Sequence, residues 1–442
     1  MSGSRAARFL SPDQISATIA RLDASIGCCQ DYVKQDAAFK KYAAYFVIAA
    51  GVGAALHIGK LPPALPVLER VLGISLLQAG FLLSLVQLAG MSLGLLTGLA
   101  VQRAGLKKSM LAGLLILAGA SALGALADSA AWLLASRALE GLGFLWVVLP
   151  GPGLLRLLVA SDRINRLMGV WGCYMPLGAS LALLAGPWIM HFGSSDDGWR
   201  LLWCVLSALS GALALFVLWG VPSDRPLPAS VVNANAQPAR LLDKNLLRLT
   251  LRSRPVWLMA LSFAMYSGQW LAVVGFLPTV YVQAGVAAAT AAWLTALAAA
   301  VNMLGNLAAG RLLERGVQPH NLLRTGFIVM AVGALLAFGV HAAPWAQYFS
   351  VLAFSMVGGL IPATLFSLAV RLAPSSDTVS TTVGWMQQWS ATGQFAGPPL
   401  IAWVAVQAGG WQWTGWISAA CCAMGLLLTT QINSELSNKY KG

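Results

Sequence analysis

Three long intervals without charge dominate the second half of the chain. Arg254 is followed by 56 residues without Asp, Glu, Lys or Arg. Another 46 separate Arg324 from Arg371, and 57 separate Asp377 from Glu435. A helix needs about 20 residues, at about 1.5 Å each, to cross the hydrocarbon of a bilayer. Each interval therefore predicts two crossings joined by an uncharged outer turn. Composition excludes the soluble alternative that 442 residues would otherwise suggest. Only 10% of residues are charged, too few to cover a water-facing surface, and 58% are apolar before the 45 glycines are counted. A soluble domain carries about 25% charged residues.

The first half repeats the plan. Lys41 to Arg103, Lys108 to Arg156 and Arg166 to Asp224 each delimit one hairpin, with a few interior charges: Lys60, Glu69 and Arg70; Asp128, Arg137 and Glu140; Asp196, Asp197 and Arg200. The expected fold is an all-α polytopic membrane protein of twelve transmembrane helices in two pseudo-symmetric six-helix halves. Residues 1–41 read as a tail, 42–221 as the first half, 222–254 as a Pro-rich basic linker loop, 255–433 as the second half and 434–442 as a second tail. In the first tail, Ser11-Pro12-Asp13 reads as a helix start. Ile15, Ile19, Leu22 and Ile26 then form one apolar stripe, suited to the inner membrane face or to the protein's own loops.

Orientation follows from the basic residues. Of 28 Lys and Arg, this layout puts 24 on one side; Arg70 and Arg200 face the other, and Lys60 and Arg137 lie within spans. The rich side is expected to be cytoplasmic, with both termini on it, in a plasma (bacterial inner) membrane. The net charge of +13 is thereby explained by inner loops and does not call for a nucleic-acid partner. Trp132, Trp199, Trp345, Trp411 and Trp413 fall near outer turns, as an interfacial belt would. The first long apolar run begins near Tyr42, too late for a cleavable signal peptide. The six cysteines have neither disulfide-framework nor metal-ligand spacing and read as apolar fillers or reduced thiols.

The halves match at one offset. Leu65-Pro66 corresponds to Leu277-Pro278, Gly98 with Gln102-Arg103 to Gly310 with Glu314-Arg315, and Pro150 to Pro362, all 212 residues on. Gly186-Pro187 corresponds to Gly397-Pro398 at 211. Six helices per copy is an even number, so both copies start on the same side: a parallel duplication about an axis along the membrane normal.

On these residues the chain, over about 42–434, resembles the major facilitator superfamily. That family's loop after helix 2 carries Gly-x-x-x-Asp-Arg-x-Gly-x-Lys/Arg-Lys/Arg; this chain has Gly98, Gln102, Arg103, Gly105, Lys107 and Lys108. Gln102 replaces the acid, so an ion pair made by that Asp is lost from this copy. The second copy keeps Glu314 and Arg315, one residue short before Gly316. Arg137, Gly141 and Gly143 resemble the helix-4 signature. The stretch from Met168, Gly169 and Trp171 through Pro176 and Gly178 to Gly186-Pro187 and Gly198-Trp199-Arg200 resembles the cyanate permease-like branch. So does Gly384 through Gln387 and Gln388 to Gly397-Pro398. The resemblance implies a site near the midplane between the halves, gating loops at Gly98, Arg103, Gly105, Glu314 and Arg315, and small anions as substrates.

Charges inside a span are costly and so mark candidates for function. Lys60 and Arg137 lie about 7 Å outward of the middle of their helices, and His57 and Glu140 about 3 Å. Each pair is spaced i, i+3 and shares a helix face. Lys60 and Arg137 are the candidate substrate-binding cations, with Tyr174, Gln269, Trp385 and Gln388 as orienting groups. Glu140, then His57, is the candidate proton carrier. Bland roles compete with each assignment. Arg137–Glu140 fits a self-neutralising pair, Lys60 can snorkel outward, and His57 fits a satisfied interior histidine. Tyr266, Asn302, Asn306 and Gln387, like the other neutral polar groups, fit interhelical hydrogen bonds. No Walker A loop, His-Glu-x-x-His or nucleophilic triad is present, so neither an enzyme nor a cofactor is expected.

The leading expectation is a monomeric secondary transporter that moves a small anionic solute by alternating access, with the proton as coupling ion and the lipid bilayer as its surroundings. One alternative is a proton-coupled efflux pump for amphiphilic drugs or organic acids. A further alternative is a transport-dead membrane sensor or scaffold.

Overall fold

The computed structural model describes residues 42–158, 167, 170–193, 196–222, 244–339, 343–375 and 378–441. The 1–41 tail with its apolar stripe lies outside the described residues, as does most of the linker. Twelve long helices make up the bundle. In the first half they are α1 (Tyr42–Leu72), α2 (Leu76–Ser84, a 3-10 turn at Leu85–Gln87, then Leu88–Ala104), α3 (Leu106–Ala125), α4 (Ala130–Leu155), α5 (Tyr174–His191) and α6 (Gly198–Gly220). In the second they are α7 (Arg254–Gln283), α8 (Ala288–Glu314), α9 (Pro319–Gly339), α10 (Pro344–Leu372), α11 (Val379–Ala408) and α12 (Trp413–Lys441). Ten are long and apolar enough to cross a membrane. The other two, α5 and α11, carry more Gly, Pro and polar residues and pack into the same bundle. A short helix, Lys244–Arg252, precedes α7, and α12 continues unbroken through residues 434–441.

The duplication is visible in the backbone. Gly73 (φ 60°) and Gly285 (φ 87°) close the first turn of each half, 212 residues apart. Gly105 (φ 96°) and Gly316 (φ 85°) turn the chain after α2 and α8, 211 apart. These conformations cost an L side chain about 1–2 kcal/mol, so glycine at both members of each pair is a physical requirement. Pro66 inside α1 is matched by Pro278 inside α7, and Pro187 inside α5 by Pro398 inside α11.

Each half is drawn together by backbone-to-backbone packing of one helix pair. A Cβ on Gly59 of α1 would lie 2.6 Å from the Ala179 carbonyl oxygen of α5. One on Gly268 of α7 would lie 2.5 Å from the Gly393 carbonyl oxygen of α11. The halves meet where α2 packs on α11, α5 on α8 and α1 on α7. At the end away from the chain termini, Leu61, Leu65, Leu82 and Leu83 form one apolar cluster with Ala272, Phe276, Ile401 and Ala402 of the other half. That cluster seals this end. Exposed apolar side chains such as Leu115, Trp219 and Leu427 cover the rim of the bundle, where lipid would lie.

Trp132, Trp345 and Trp413 are exposed, as a belt requires, but Trp199 is not. It is fully buried, edge-on to Trp203 at 5.5 Å and under the Arg200 guanidinium at 4.7 Å. Its depth along α6 suits an interface, but its direction is inward.

Candidate functional site

Two prolines set the turn at Lys60. Pro62 and Pro63 carry no N–H, so the carbonyls of Ile58 and Gly59 lose their i+4 donors, and α1 loosens there before resuming at Leu61. Lys60 does not snorkel. Its Nζ donates to Glu140 Oε1 at 2.5 Å and to Ser121 Oγ at 2.9 Å. It also lies 3.3 Å from His57 Nδ1 and 4.3 Å from the centre of a Trp203 ring.

The other Glu140 oxygen accepts from Arg137 Nη1. Arg137 also reaches backbone: Nη1 donates to the His57 carbonyl at 2.7 Å and Nε to the Leu82 carbonyl at 3.1 Å. Leu82 stands just before the 3-10 turn in α2. His57 Nε2 is 2.8 Å from Ser210 Oγ on α6. With the Lys60 ammonium facing Nδ1, the neutral ring accepts there and donates from Nε2. His57, Lys60, Arg137 and Glu140 are each 0% exposed. The nest therefore joins α1, α2, α3, α4 and α6 and holds two cations against one anion, a net charge of +1 with His57 neutral. Glu140 is the element that makes it tolerable, because a buried cation is stable only when paired and hydrogen-bonded.

About one helical turn from the nest, a cavity opens between the halves. It contains ≈ 560 Å³ of space between atoms, its open mouth included. Its walls come from α2 (Gln87, Gly90, Gly94), α4 (Phe144, Leu145, Val148, Leu149), the start of α5 (Tyr174, Met175) and α11 (Gly384, Gln387, Gln388, Ala391, Gln394). Amides cross the gap: Gln87 Nε2 donates to Gln394 Oε1 at 3.1 Å, and Gln388 Nε2 to the Met91 carbonyl at 2.9 Å.

The residues singled out by sequence fall into three places. Lys60, Arg137, Glu140 and His57 meet in the nest. Tyr174 and Gln388 line the cavity, with Tyr174 stacked 4.9 Å from Trp171. Gln269 and Trp385 reach neither. Gln269 Nε2 donates to the Met265 carbonyl at 2.8 Å and lies 3.4 Å from Cys422 Sγ, facing α12. Trp385 packs edge-on against Trp257 at 5.0 Å and beside Trp389 at 6.2 Å. Nor do Lys60 and Arg137 face an open gap in this conformation, because the Glu140 carboxylate stands between them.

Of the loop residues, Gly98 and Arg103 lie in the last turns of α2, and Gly105 makes the left-handed turn after it. Lys107, just beyond, donates to the Leu218 and Val221 carbonyls at 2.8 and 2.6 Å and so caps the C-terminal end of α6, where a cation is favoured. In the second copy Glu314 and Arg315 are exposed at the tip of α8. Sequence reasoning missed Gln87 and Gln394, although mid-span amides met the criterion applied to Gln387 and Gln388. It also missed Ser121 and Ser210, which carry no signal: a lone serine in an apolar helix is commonplace.

The second half buries a different network. Asn302 Nδ2 donates to Tyr266 Oη at 3.0 Å and to the Ser355 carbonyl at 2.7 Å. Trp270 Nε1 donates to Ser355 Oγ at 3.0 Å, and Asn306 Nδ2 to Asn302 Oδ1 at 3.0 Å. Every member is neutral.

Helices paired in two sixfold sets around a central cavity define a membrane transporter fold, and sequence comparison assigns the family. The chain belongs to the Major Facilitator Superfamily, whose profile matches residues 42–392 and 285–439. It is therefore an integral membrane transporter, not an enzyme. It is 25% identical over 373 residues to the cyanate transport protein CynX of Escherichia coli (strain K12), spanning 83% of this chain and 91% of that one. It is 24% identical over 290 residues to the multidrug resistance protein MdtH of Klebsiella pneumoniae, spanning 66% and 68%. Among solved structures, a bacterial homolog of the human lysosomal transporter Spinster, in an inward-facing and occupied conformation, superposes with TM-score 0.70 at 14% identity. That match covers 90% of this chain and 94% of the other. The transporter FucP in its outward conformation superposes at 0.63 with 16% identity, covering 88% and 98%.

Proposed function

We propose that the protein moves a small anionic solute through the cavity between its halves, by alternating access coupled to protons. One arrangement supports the charge preference. The nest holds a net charge of +1 away from water, while the residues lining the cavity beside it include no Asp or Glu. A unit charge about 8 Å away, at an effective dielectric of about 20, attracts an anion by about 2 kcal/mol. Tyr174 and the amides of Gln87, Gln387, Gln388 and Gln394 orient the solute, and Glu140 with His57 carries the proton. The likeness to a cyanate transporter agrees with this reading. Both termini are assigned to the cytoplasmic face; labelling of an Asn438→Cys variant from outside intact cells is expected to fail, and efficient labelling would reverse the topology.

A second reading, efflux of amphiphilic compounds, draws on the apolar wall of Phe144, Leu145, Val148, Leu149 and Met175 and on the likeness to a multidrug resistance protein. Flux into proteoliposomes, measured with matched panels of anions, neutral solutes and cations, separates the two. Wild type is expected to prefer anions. Lys60→Met leaves Arg137 and Glu140 as a neutral pair and is expected to lower anion affinity by about thirtyfold, the equivalent of about 2 kcal/mol. A preference for cations, or an unchanged anion affinity in Lys60→Met, would put the second reading first.

A further inference from the structure

The Gln388 amide is fixed in orientation. Its Nε2 is committed to the Met91 carbonyl across the gap between the halves, at 2.9 Å. Its Oε1 must then be the other end of the amide, and this acceptor is buried with no hydrogen-bond partner among the described residues. It stands in the cavity wall, opposite Gly94. A Cβ added at Gly94 would lie 3.7 Å from Oε1, so the absent side chain leaves room for a ligand atom. The neighbouring amides do not supply the missing donor. Gln87 Nε2 is spent on Gln394 Oε1, and Gln394 Nε2 lies 3.2 Å from Ser390 Oγ.

We propose that Gln388 Oε1, over Gly94, is a specificity subsite that accepts a hydrogen bond from the transported solute, so that the substrate is a small anion carrying an O–H or N–H donor beside its charge. This rests on the reading of the inter-half cavity as the solute site and narrows its substrate class. The chemistry is asymmetric. A solute without a donor leaves a buried carbonyl oxygen unmatched when it displaces water, whereas a donor-bearing solute replaces the lost bond. Donor-free anions, cyanate and acetate among them, are thereby disfavoured relative to hydroxy or amide-bearing acids of similar size.

The test compares glycolate with acetate, which differ by one hydroxyl, in competition for binding to the full-length protein in nanodiscs. A neutral pair, glycolamide and acetamide, is measured alongside. Wild type is expected to favour glycolate over acetate by about tenfold, within the range for one unmatched buried acceptor. Gln388→Leu is expected to bring that ratio near one. Gly94→Ser provides a second route that leaves Gln388 in place: its hydroxyl can donate to Oε1 from the opposite wall and should likewise erase the preference. No glycolate preference in wild type, or a preference that survives in both variants, overturns the subsite. If the donor preference appears only in the neutral pair, the subsite stands and the anion reading falls.

Discussion

At the level where α1 carries His57 and Lys60, its repeat partner α7 carries Gln269 and Ala272. Arg137 and Glu140 of α4 are likewise matched 212 residues on by Phe349 and Leu352 of α10. The first half thus stores two cations and a carboxylate in its interior, and the second stores amides, a phenol and an indole. Both networks are fully buried at their centres, Glu140 at 0% exposure and Asn302 at 3%. Both tie neighbouring helices together. The difference is what each leaves behind when disturbed: an unpaired charge in one half, an unpaired dipole in the other. A half that must hold its shape while presenting a field to a ligand benefits from the charge. A half that only has to hold its shape does not need it.

The largest expected effect exploits that difference. Glu140→Gln leaves Lys60 and Arg137 without a counter-charge and is expected to destabilise the protein by about 3–5 kcal/mol. Asn302→Leu removes the centre of the neutral network and is expected to cost about 2 kcal/mol. Unfolding of both variants in one detergent, followed by buried tryptophan fluorescence, checks the ranking. Equal losses would erase the distinction between the halves. Where Glu140→Gln inserts, solute counterflow is expected to persist while gradient-driven accumulation stops. Full accumulation would remove Glu140 as the proton carrier.

A smaller effect should be alike in both halves. Gly105→Ala and Gly316→Ala each place a Cβ at left-handed φ, and at Gly316 no atom lies within 4 Å of it, so only backbone strain is felt there. Each is expected to cost about 1 kcal/mol, read as matching shifts in unfolding midpoint. A much larger loss at Gly105 alone would mean that the adjoining Lys107 cap on α6 depends on that turn.

Much of the bundle was legible in the spacing of charges, because a charge-free interval counts crossings directly. The repeat was legible because proline and glycine punctuate the backbone wherever they stand. The nest was half legible: depth along α1 and α4 follows from residue number, so the four groups were seen to share a level. The direction in which each side chain points around its helix, and which helix stands opposite, does not follow from residue number. That is why Glu140 between the two cations, and Ser121 and Ser210 behind them, came only with the packing. The same limit put Gln269 and Trp385 in the wrong neighbourhood: each has the right depth, but Gln269 faces α12 and Trp385 faces Trp257. Gln87 and Gln394 were readable and were passed over, since an amide in an apolar run looks alike whether it glues helices or lines a cavity.

The paired left-handed glycines also say something about history. At Gly73, Gly105, Gly285 and Gly316 almost any replacement strains the chain, so after a duplication those turns are the slow-changing part of each copy. The interior of a helix bundle carries no such backbone penalty: a lysine at one level of α1 can stand as an alanine at the same level of α7 without moving a turn. Descent from one ancestral six-helix unit has therefore kept the joints and rewritten the contents. A lineage built this way can acquire a new cargo by exchanging a few buried side chains in one copy, while the hinges it inherited go on working.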